Sequence, residues 1–305
     1  MPSGGDYTSL EACMNGNQQN LVTADQYFDV EIDGTWSSAD TTAVVVHNYT
    51  TDATRYINIY TTSAARHKGV YSTSYYRITV DSSAHNIEID QTQYVSIKGI
   101  QFYGSHAYHL QCIYPHRSDA QQFTTVAYCL FKTQEVGNAA IYLYFCGGSK
   151  VYNNIFYNVT QIQAGGAGKS IQTVWANSTY TVQIYNNTIY GGEIGIQADA
   201  DAQANTIIKN NLVIDTSVND YVGTFGTHAD NISSDTTSPD DEWDSTTLAN
   251  AKFVNTGAGT EDLHLQSGSV AIDAGTDLSG LSIFSDDIDG VTRSGTWDIG
   301  ADEYS

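Results

Sequence analysis

The stretch IYNNTIYGG (Ile184–Gly192) decides the fold, because close copies of it stand on both sides in the chain. VYNNIFYN precedes it at Val151–Asn158, and IKNNLVID follows at Ile208–Asp215. In each copy a pair of asparagines separates two short apolar pieces. Apolar residues that alternate with period two are typical of strands, and one interruption of the alternation is typical of a turn. The stretch therefore predicts a strand–turn–strand unit that recurs along the chain.

Two weaker copies extend the series toward the N-terminus. From Ile97 to Ile208 the copies begin 29, 25, 33 and 24 residues apart. Units of this length with strand spacing, and without the three-and-four spacing of helices, indicate coils that stack on one another. Two columns are apolar in all five copies: Ile97, Val126, Val151, Ile184 and Ile208 before the turn, and Phe102, Phe131, Phe156, Ile189 and Val213 five residues later.

We therefore predict an all-β chain, a single-stranded right-handed parallel β-helix (solenoid) with a cap at each end. Residues 1–40 form the N-terminal cap and first strand, 41–240 the coils, and 241–305 a non-repetitive, Asp/Gly-rich C-terminal cap packed on the last coil. The residues around Leu10 and Cys13 allow a short amphipathic helix that covers the open first coil.

The asparagine pairs have a structural interpretation. One asparagine adopts the left-handed conformation at low cost. The other points inward, and its amide bonds its counterpart one coil away. The first two copies carry Gly99–Ile100 and Tyr128–Cys129 instead, so the ladder begins at the third copy. The predicted ladder residues are Asn153, Asn154, Asn186, Asn187, Asn210 and Asn211.

Charge excludes several classes of partner. The 305 residues include 34 acidic and 12 basic side chains, for a net charge of −22. Such a field repels nucleic acids and anionic membranes. It also repels acidic polysaccharides unless calcium or a local basic patch intervenes. No apolar stretch reaches the ~18 residues of a membrane span, so we expect no membrane insertion. The N-terminus shows no signal peptide.

Two acidic residues are the best candidates for catalysis. Asp199 and Asp201 lie two apart in IQADADAQ and so share one face of a strand, with Glu193 nearby. A solvated acidic turn is the competing interpretation. A polysaccharide lyase would need a basic cluster, and the lysines of the repeats do not form an evident one: Lys98, Lys132, Lys150, Lys169 and Lys209.

Two groups resemble parts of metal sites. The loop at 105–116 carries three histidines whose spacing matches no standard site, namely His106, His109 and His116. The C-terminal run DDIDG resembles part of a calcium loop without its closing Glu; its acids are Asp286, Asp287 and Asp289, and pairing with Arg293 is the competing role. We expect no cofactor, with calcium as the alternative.

Two tyrosines form a candidate binding surface. Tyr152 and Tyr185 occupy one outward column, where stacked rings bind sugar faces or a partner subunit unless a loop covers them.

The cysteines contain no CxxC pair and are predicted to be free thiols, with one disulfide left open; they are Cys13, Cys112, Cys129 and Cys146.

Both ends of the chain resemble known β-helix proteins. The ending, with DLHLQSGSVAIDAG (262–275), DDIDGVTR (286–293) and DIGADEY (298–304), is similar to the C-terminal signature of parallel β-helix repeat proteins, including those with a choice-of-anchor Q domain. The opening, with GGDYTSLEAC (4–13) and LVTADQYFDVEIDGTW (21–36), resembles β-helix proteins of tailed phages and environmental viral sequences.

This resemblance implies a non-catalytic protein of the virion surface, made in the host cytoplasm: a decoration, fibre or adhesion component. Its partners would be other virion proteins or further copies of itself, for example in a trimer, and cell-surface glycans. The alternatives are a tailspike-like polysaccharide depolymerase, acting as hydrolase or lyase, and an extracellular bacterial surface or matrix adhesin. One fold hosts all three functions.

Overall fold

The computed structural model describes residues 6–80, 82–104, 111–117, 122–133, 135–145, 147–161, 166–175 and 179–305. These residues form 24 strands, numbered β1 to β24 in chain order, and three short α-helices. The helices are α1 (Leu10–Gly16), α2 (Leu21–Ala24) and α3 (Leu248–Ala251). None of the helices in these ranges has the length and hydropathy of a membrane span.

Three parallel sheets form the walls of the solenoid, and each coil contributes strands to them in turn. Sheet 1 contains β1 (Phe28–Ile32), β3 (Ile57–Thr61), β6 (Val95–Lys98), β9 (Thr124–Ala127), β12 (Lys150–Tyr152), β15 (Val182–Tyr185), β18 (Thr206–Lys209) and β21 (Thr227–Ala229). Sheet 2 contains β4 (Arg77–Ile78), β7 (Gln101–Gly104), β10 (Leu130–Thr133), β13 (Ile155–Tyr157), β16 (Thr188–Tyr190), β19 (Leu212–Ile214) and β22 (Ile232–Ser233). Sheet 3 contains β2 (Val44–Val46), β5 (Ile87–Asp90), β8 (Ile113–His116), β11 (Ala139–Tyr144), β14 (Lys169–Val174), β17 (Ile194–Ala198) and β20 (Asn219–Val222). The remaining strands, β23 (Phe253–Asn255) and β24 (Asp262–Leu265), form an antiparallel pair.

The two predicted apolar columns fill the interior of the coils. In sheet 1 the first column pairs in register from Ile97 to Ile208, and in sheet 2 the second pairs from Phe102 to Val213. All ten side chains have no exposed surface. The ring of Phe131 stacks on the rings of the phenylalanines above and below, at 4.8 and 4.6 Å between centroids. This register confirms the predicted parallel β-helix.

The turn between sheets 1 and 2 explains why asparagines recur in pairs. Its first residue has positive φ: 51° at Asn153, 47° at Asn186 and 54° at Asn210. Asparagine enters this left-handed region more readily than most residues. In the two earlier coils Gly99 and Tyr128 take the same position, with φ of 76° and 54°.

The second asparagine of each pair points into the solenoid and forms a hydrogen-bonded ladder. Asn154 Nδ2 donates to Asn187 Oδ1, and Asn187 Nδ2 donates to Asn211 Oδ1, each at 2.9 Å. Asn211 continues the ladder to Asn231 at 2.9 Å, and Asn231 Nδ2 donates to the carboxylate of Asp240 at 2.8 Å. The ladder therefore continues to Asn231, one rung further than the sequence pattern showed. The pattern did not show this rung because the residue before Asn231 is Asp230 and not asparagine. Asp230 takes the left-handed position, with φ of 54°.

The N-terminal helix α1 lies against the first coil. Ser9 caps it through its hydroxyl, and Leu10 and Met14 are its buried residues. The hydroxyl of Tyr49 donates to the carbonyl of Met14 at 2.6 Å, and Leu10 N donates to Asp40. The helix thus covers apolar core at the start of the coils.

The prediction that 241–305 packs on the last coil is wrong for most of this segment. From the last coils it runs back along the outside of the solenoid: Thr276 N bonds Asn210 Oδ1, Ala301 N bonds Thr188 Oγ1, and Arg66 Nη2 bonds the carbonyl of Ile288 in an early coil. The physical reason is that the outer face of sheet 2 is itself apolar. Strands buried on both faces have continuous apolar sequences, as in β13 and β19, and the C-terminal segment covers them in a second hydrophobic cluster.

The first asparagines of the pairs hold this segment in place. Asn153 Nδ2 donates to the carbonyl of Asp286 at 2.7 Å, and Asn186 Nδ2 to that of Asp298 at 3.0 Å. Asn210 Nδ2 donates to the carbonyl of Thr276 at 2.8 Å. The two asparagines of a pair therefore differ in role: the second stacks the coils, and the first docks the C-terminal segment. Asn210 Nδ2 also donates to Asn186 Oδ1 at 3.2 Å, so two of the first asparagines join neighbouring coils as well.

Candidate functional site

The outer face of sheet 1 forms a long polar groove of about 550 Å³. Alternation along each strand turns every second residue outward, and register aligns one row of these residues across five strands. The aligned outward row is Asn58, Ser96, Thr125, Lys150 and Gln183, and all five line the groove.

The C-terminal segment supplies one wall of the groove. Leu281, Ser282 and Ile283 line it. The next residue, Phe284, stacks flat on Tyr152, with 4.6 Å between ring centroids. The groove therefore exists because the C-terminal segment docks beside sheet 1, and not because of the solenoid alone.

Two lysines line the groove without an acidic partner. Neither Lys98 nor Lys150 lies within ion-pair distance of a carboxylate in the described part of the chain, whereas Lys132 pairs with Glu261 at 2.7 Å. Burial lowers the pKa of Lys98, although the more distant charges of Asp286 and Asp29 act in the opposite direction. In a chain of net charge −22, two unpaired ammonium groups make this groove a local basic patch.

Two polar atoms of the groove lack hydrogen bonds. Ser96 Oγ and Gln183 Oε1 are buried, and no group among the described residues bonds them. Buried polar atoms are nearly always hydrogen-bonded, and each exception needs an explanation. Both atoms belong to residues that line the groove.

An exposed aromatic pair lies at one end of the groove. Tyr56 lines the groove and stacks on Tyr27, with 5.7 Å between ring centroids and 15° between planes. Their exposed fractions are 36% and 59%. Sequence reasoning missed this pair, because Tyr27 precedes β1 and Tyr56 precedes β3, outside the alternating strand pattern.

The predicted aromatic surface of Tyr152 and Tyr185 is not open, which corrects the sequence-based expectation. The two side chains are only 4% and 2% exposed. They do point outward and neighbour each other in register, but the C-terminal segment covers them. Phe284 lies on Tyr152. Alternation indicates the face of a strand and cannot indicate what later packs on that face.

The acidic candidates lie away from the groove. Asp199 follows β17 in sheet 3 and accepts hydrogen bonds from Gln172 and Gln197, and Asp201 is exposed in the next turn. Glu193 accepts the backbone N–H groups of Gln161 and Gly168, which is a structural role. None of the three lines the groove.

The histidine candidates do not come together in the described residues. His106 and His109 lie outside those residues. His116 Nε2 instead contacts Glu88 at 2.8 Å and Asp90 at 3.6 Å on neighbouring strands. Among the cysteines, Cys13 and Cys129 are free thiols, Cys112 is buried, and Cys146 lies outside the described residues.

The three aspartates of the predicted calcium loop each contact a different partner. Asp286 accepts the hydroxyl of Tyr128 at 2.5 Å, and Asp287 accepts backbone N–H groups, including that of Val291 at 2.7 Å. Asp289 contacts His264 at 3.1 Å. Among the described residues, the three aspartates do not form a cluster of ligand atoms.

Arg293 also has a different partner from the predicted one. Its guanidinium is fully buried and pairs with Glu303 at 3.0 Å, not with the three aspartates. It also donates to Asn153 Oδ1 at 3.1 Å and to the carbonyl of Gly300 at 2.9 Å. A buried guanidinium needs several acceptors, and here it joins the C-terminal segment to the first asparagine of a pair.

The strand register defines the class of protein: this chain is a parallel β-helix repeat protein. No protein-family model matches it, and no curated protein matches it. Among solved structures, the pectate lyase Pel9A is similar at 12% sequence identity, over 92% of this chain and 87% of that one, with a TM-score of 0.37. The assignment of the fold rests on the register and burial described above.

Proposed function

We propose that the sheet 1 groove binds an extended acidic glycan and that the protein acts as a non-catalytic attachment component. The observation that carries the proposal is the pair of unpaired lysines, Lys98 and Lys150, in the groove of a strongly acidic chain. A basic patch is the feature that an anionic polysaccharide needs to approach such a protein.

The shape of the groove fits a linear polymer. The groove spans five strands, from β3 to β15, and its floor is a sheet face. Lys98 and Lys150 lie two strands apart in sheet 1, which corresponds to about 10 Å at the usual strand spacing. Carboxylates that repeat along an acidic glycan would meet the ammonium groups, and its hydroxyls would face the polar row of Asn58, Thr125 and Gln183. Tyr56 offers an exposed ring for stacking on a sugar face.

The setting that suits this activity is a surface where many copies act together. One shallow groove with few charged contacts gives weak binding, and repetition on a particle or cell envelope raises the overall affinity. We therefore propose a virion-surface component, with a bacterial surface adhesin as the alternative setting. The resemblance of the opening of the chain to phage β-helix proteins supports the virion.

A glycan lyase is the second candidate, because Lys98, whose pKa is lowered by burial, lies in the groove where a base would act. In its neutral form the amine would remove the proton beside a uronate carboxylate. The glycosidic C–O bond would break, a C=C bond would form, and the departing oxygen would take up a proton from the ammonium group or from water. A hydrolase finds less support, because it needs two carboxyl groups flanking the sugar and no carboxylate among the described residues lines the groove.

The test compares uronate hexasaccharides with neutral glucan hexasaccharides by calorimetry. We expect binding of the uronate alone, weakened by salt. Lys98→Gln and Lys150→Gln should each weaken binding about 3- to 10-fold. Lys209→Gln is the matched control, because Lys209 lies on the same sheet face outside the groove.

Equal binding of neutral and acidic chains, or binding unchanged in the Lys98/Lys150 double variant, would contradict the proposal. The same samples are assayed for unsaturated products by ultraviolet absorbance. Product formation that disappears in Lys98→Gln while uronate binding persists would replace the attachment function with the lyase.

A further inference from the structure

A cluster of metal-ligand side chains lies within the C-terminal segment, separate from the groove. His264 belongs to β24, Asp289 to the turn that follows Ile288, and Asp302 to the end of the chain. One ligand atom from each lies within 4.8 Å of the others. Residues that are 25 and 13 positions apart in sequence therefore meet at one point.

The imidazole of His264 is oriented as in a metal site. Its Nδ1 contacts Asp262 Oδ1 at 2.5 Å, and its Nε2 is the nitrogen that faces Asp289. Nε2 is 3.1 Å from Asp289 Oδ2 but has no hydrogen bond of good geometry among the described residues. A carboxylate behind the outer nitrogen of a metal-bound histidine is a recurrent arrangement, because it fixes the ring and the tautomer.

The other two members are also held in place. The carboxylate of Asp302 accepts the backbone N–H of Leu265 at 2.8 Å. Gly69 makes room for the imidazole, since a Cβ there would lie 2.4 Å from His264 Nε2. Asp289 remains partly open to solvent, with a side chain 33% exposed. An ion could therefore enter from the side of Asp289.

The surrounding charges favour an added cation. The carboxylates of Asp262, Asp289 and Asp302 lie around the imidazole of His264. The cluster thus attracts positive charge even though Arg66, His67 and Lys68 lie nearby in sequence and space.

We propose that His264, Asp289 and Asp302 bind a zinc ion, with Asp262 as the supporting carboxylate. One imidazole with two carboxylates suits zinc, whereas calcium and magnesium prefer oxygen ligands alone. Tetrahedral zinc with bonds of about 2.1 Å has its ligands about 3.4 Å apart. The three ligand atoms would therefore need to move only a short way toward the ion. Water would complete the coordination.

Such an ion would clamp the C-terminal segment. It would join β24, the turn at 286–290 and the chain end, beside Gly69 of an early coil. Since the same segment supplies the wall of the sheet 1 groove, zinc would stabilise that wall without touching it. Binding to the folded chain alone raises its stability in proportion to the logarithm of free zinc.

The experiment uses the full chain, stripped with a chelator and then titrated with Zn²⁺ by calorimetry. We expect one ion per chain and a higher melting temperature. Asp289→Asn and Asp302→Asn should abolish measurable binding, and Asp262→Asn should weaken it about 10- to 100-fold. His228→Gln is the matched control, since His228 contacts Asp240 at 2.8 Å without a third ligand, and it should bind zinc normally.

Cobalt provides an independent readout, because its visible absorption reports the ligand set. We expect the spectrum of a nitrogen–oxygen site in the parent protein, unchanged after alkylation of the thiols and lost in the folded Asp289→Asn variant. Three results would overturn the proposal: no zinc binding, undiminished binding in both aspartate variants, or loss of binding on alkylation, which would place the ion on cysteine.

Discussion

Phe156→Ala is expected to lower the free energy of unfolding by about 3–5 kcal/mol, the usual cost of deleting a buried aromatic ring. The side chain has no exposed surface, and its ring stacks on Phe131 at 4.6 Å with planes 7° apart. It pairs in register with Phe131 and Ile189, so the lost ring leaves a cavity between two coils that the strands cannot close without breaking their ladder.

Chemical denaturation followed by circular dichroism measures the effect. Tyr304→Ala is the control, because that ring is 43% exposed, and its loss should stay within about 0.5 kcal/mol. If Phe156→Ala were no more destabilising than Tyr304→Ala, the column of stacked rings would not be the core of the protein.

Asn187→Ala is expected to cost about 2–4 kcal/mol, because the truncation leaves several buried groups without partners. Its Oδ1 accepts from the backbone and side-chain amides of Asn154. Its Nδ2 donates to Asn211 Oδ1 and to the carbonyls of Val151 and Tyr185. No water can replace these bonds where the side chain has no exposed surface.

The same denaturation experiment tests the ladder, with the exposed Asn250→Ala as control. Glycan binding by the folded Asn187→Ala variant should equal that of the parent, because the residue points away from the groove. Lost binding at an unchanged melting temperature would move the asparagines from the framework into a site.

The repeat made the fold predictable. Apolar columns such as that of Phe156 recur once per coil. The left-handed position at the turn also recurs once per coil, and Gly, Tyr or Asn occupies it in successive coils. The docking role of Asn153 and Asn210 was not predictable. Their partners, Asp286 and Thr276, lie 133 and 66 residues away, and no local pattern encodes such a contact.

The sequence predicted some residues of the candidate site but not their arrangement in one groove. Lys98 and Lys150 were both visible as basic residues of the repeats, but they meet in one groove only through the register of three strands, which needs the exact length of each loop. Tyr152 was assigned to the outer face correctly and to an open surface wrongly. The continuous apolar segments Ile155–Tyr157 and Leu212–Ile214 belong to sheet 2. They were the one sign in the sequence that another part of the chain covers the outer face of that sheet.

The central claim is that an acidic glycan lies against Lys98 and Lys150, and amine footprinting tests it most directly. The protein is acetylated briefly with a limiting reagent, with and without saturating uronate hexasaccharide, and modification of each lysine is measured by mass spectrometry. We predict that the uronate slows acetylation of Lys98 and Lys150 several-fold, that neutral glucan does not, and that Lys209 and Lys252 react equally in all samples. Unchanged acetylation of Lys98 and Lys150, or equal protection of all four lysines, would contradict the account.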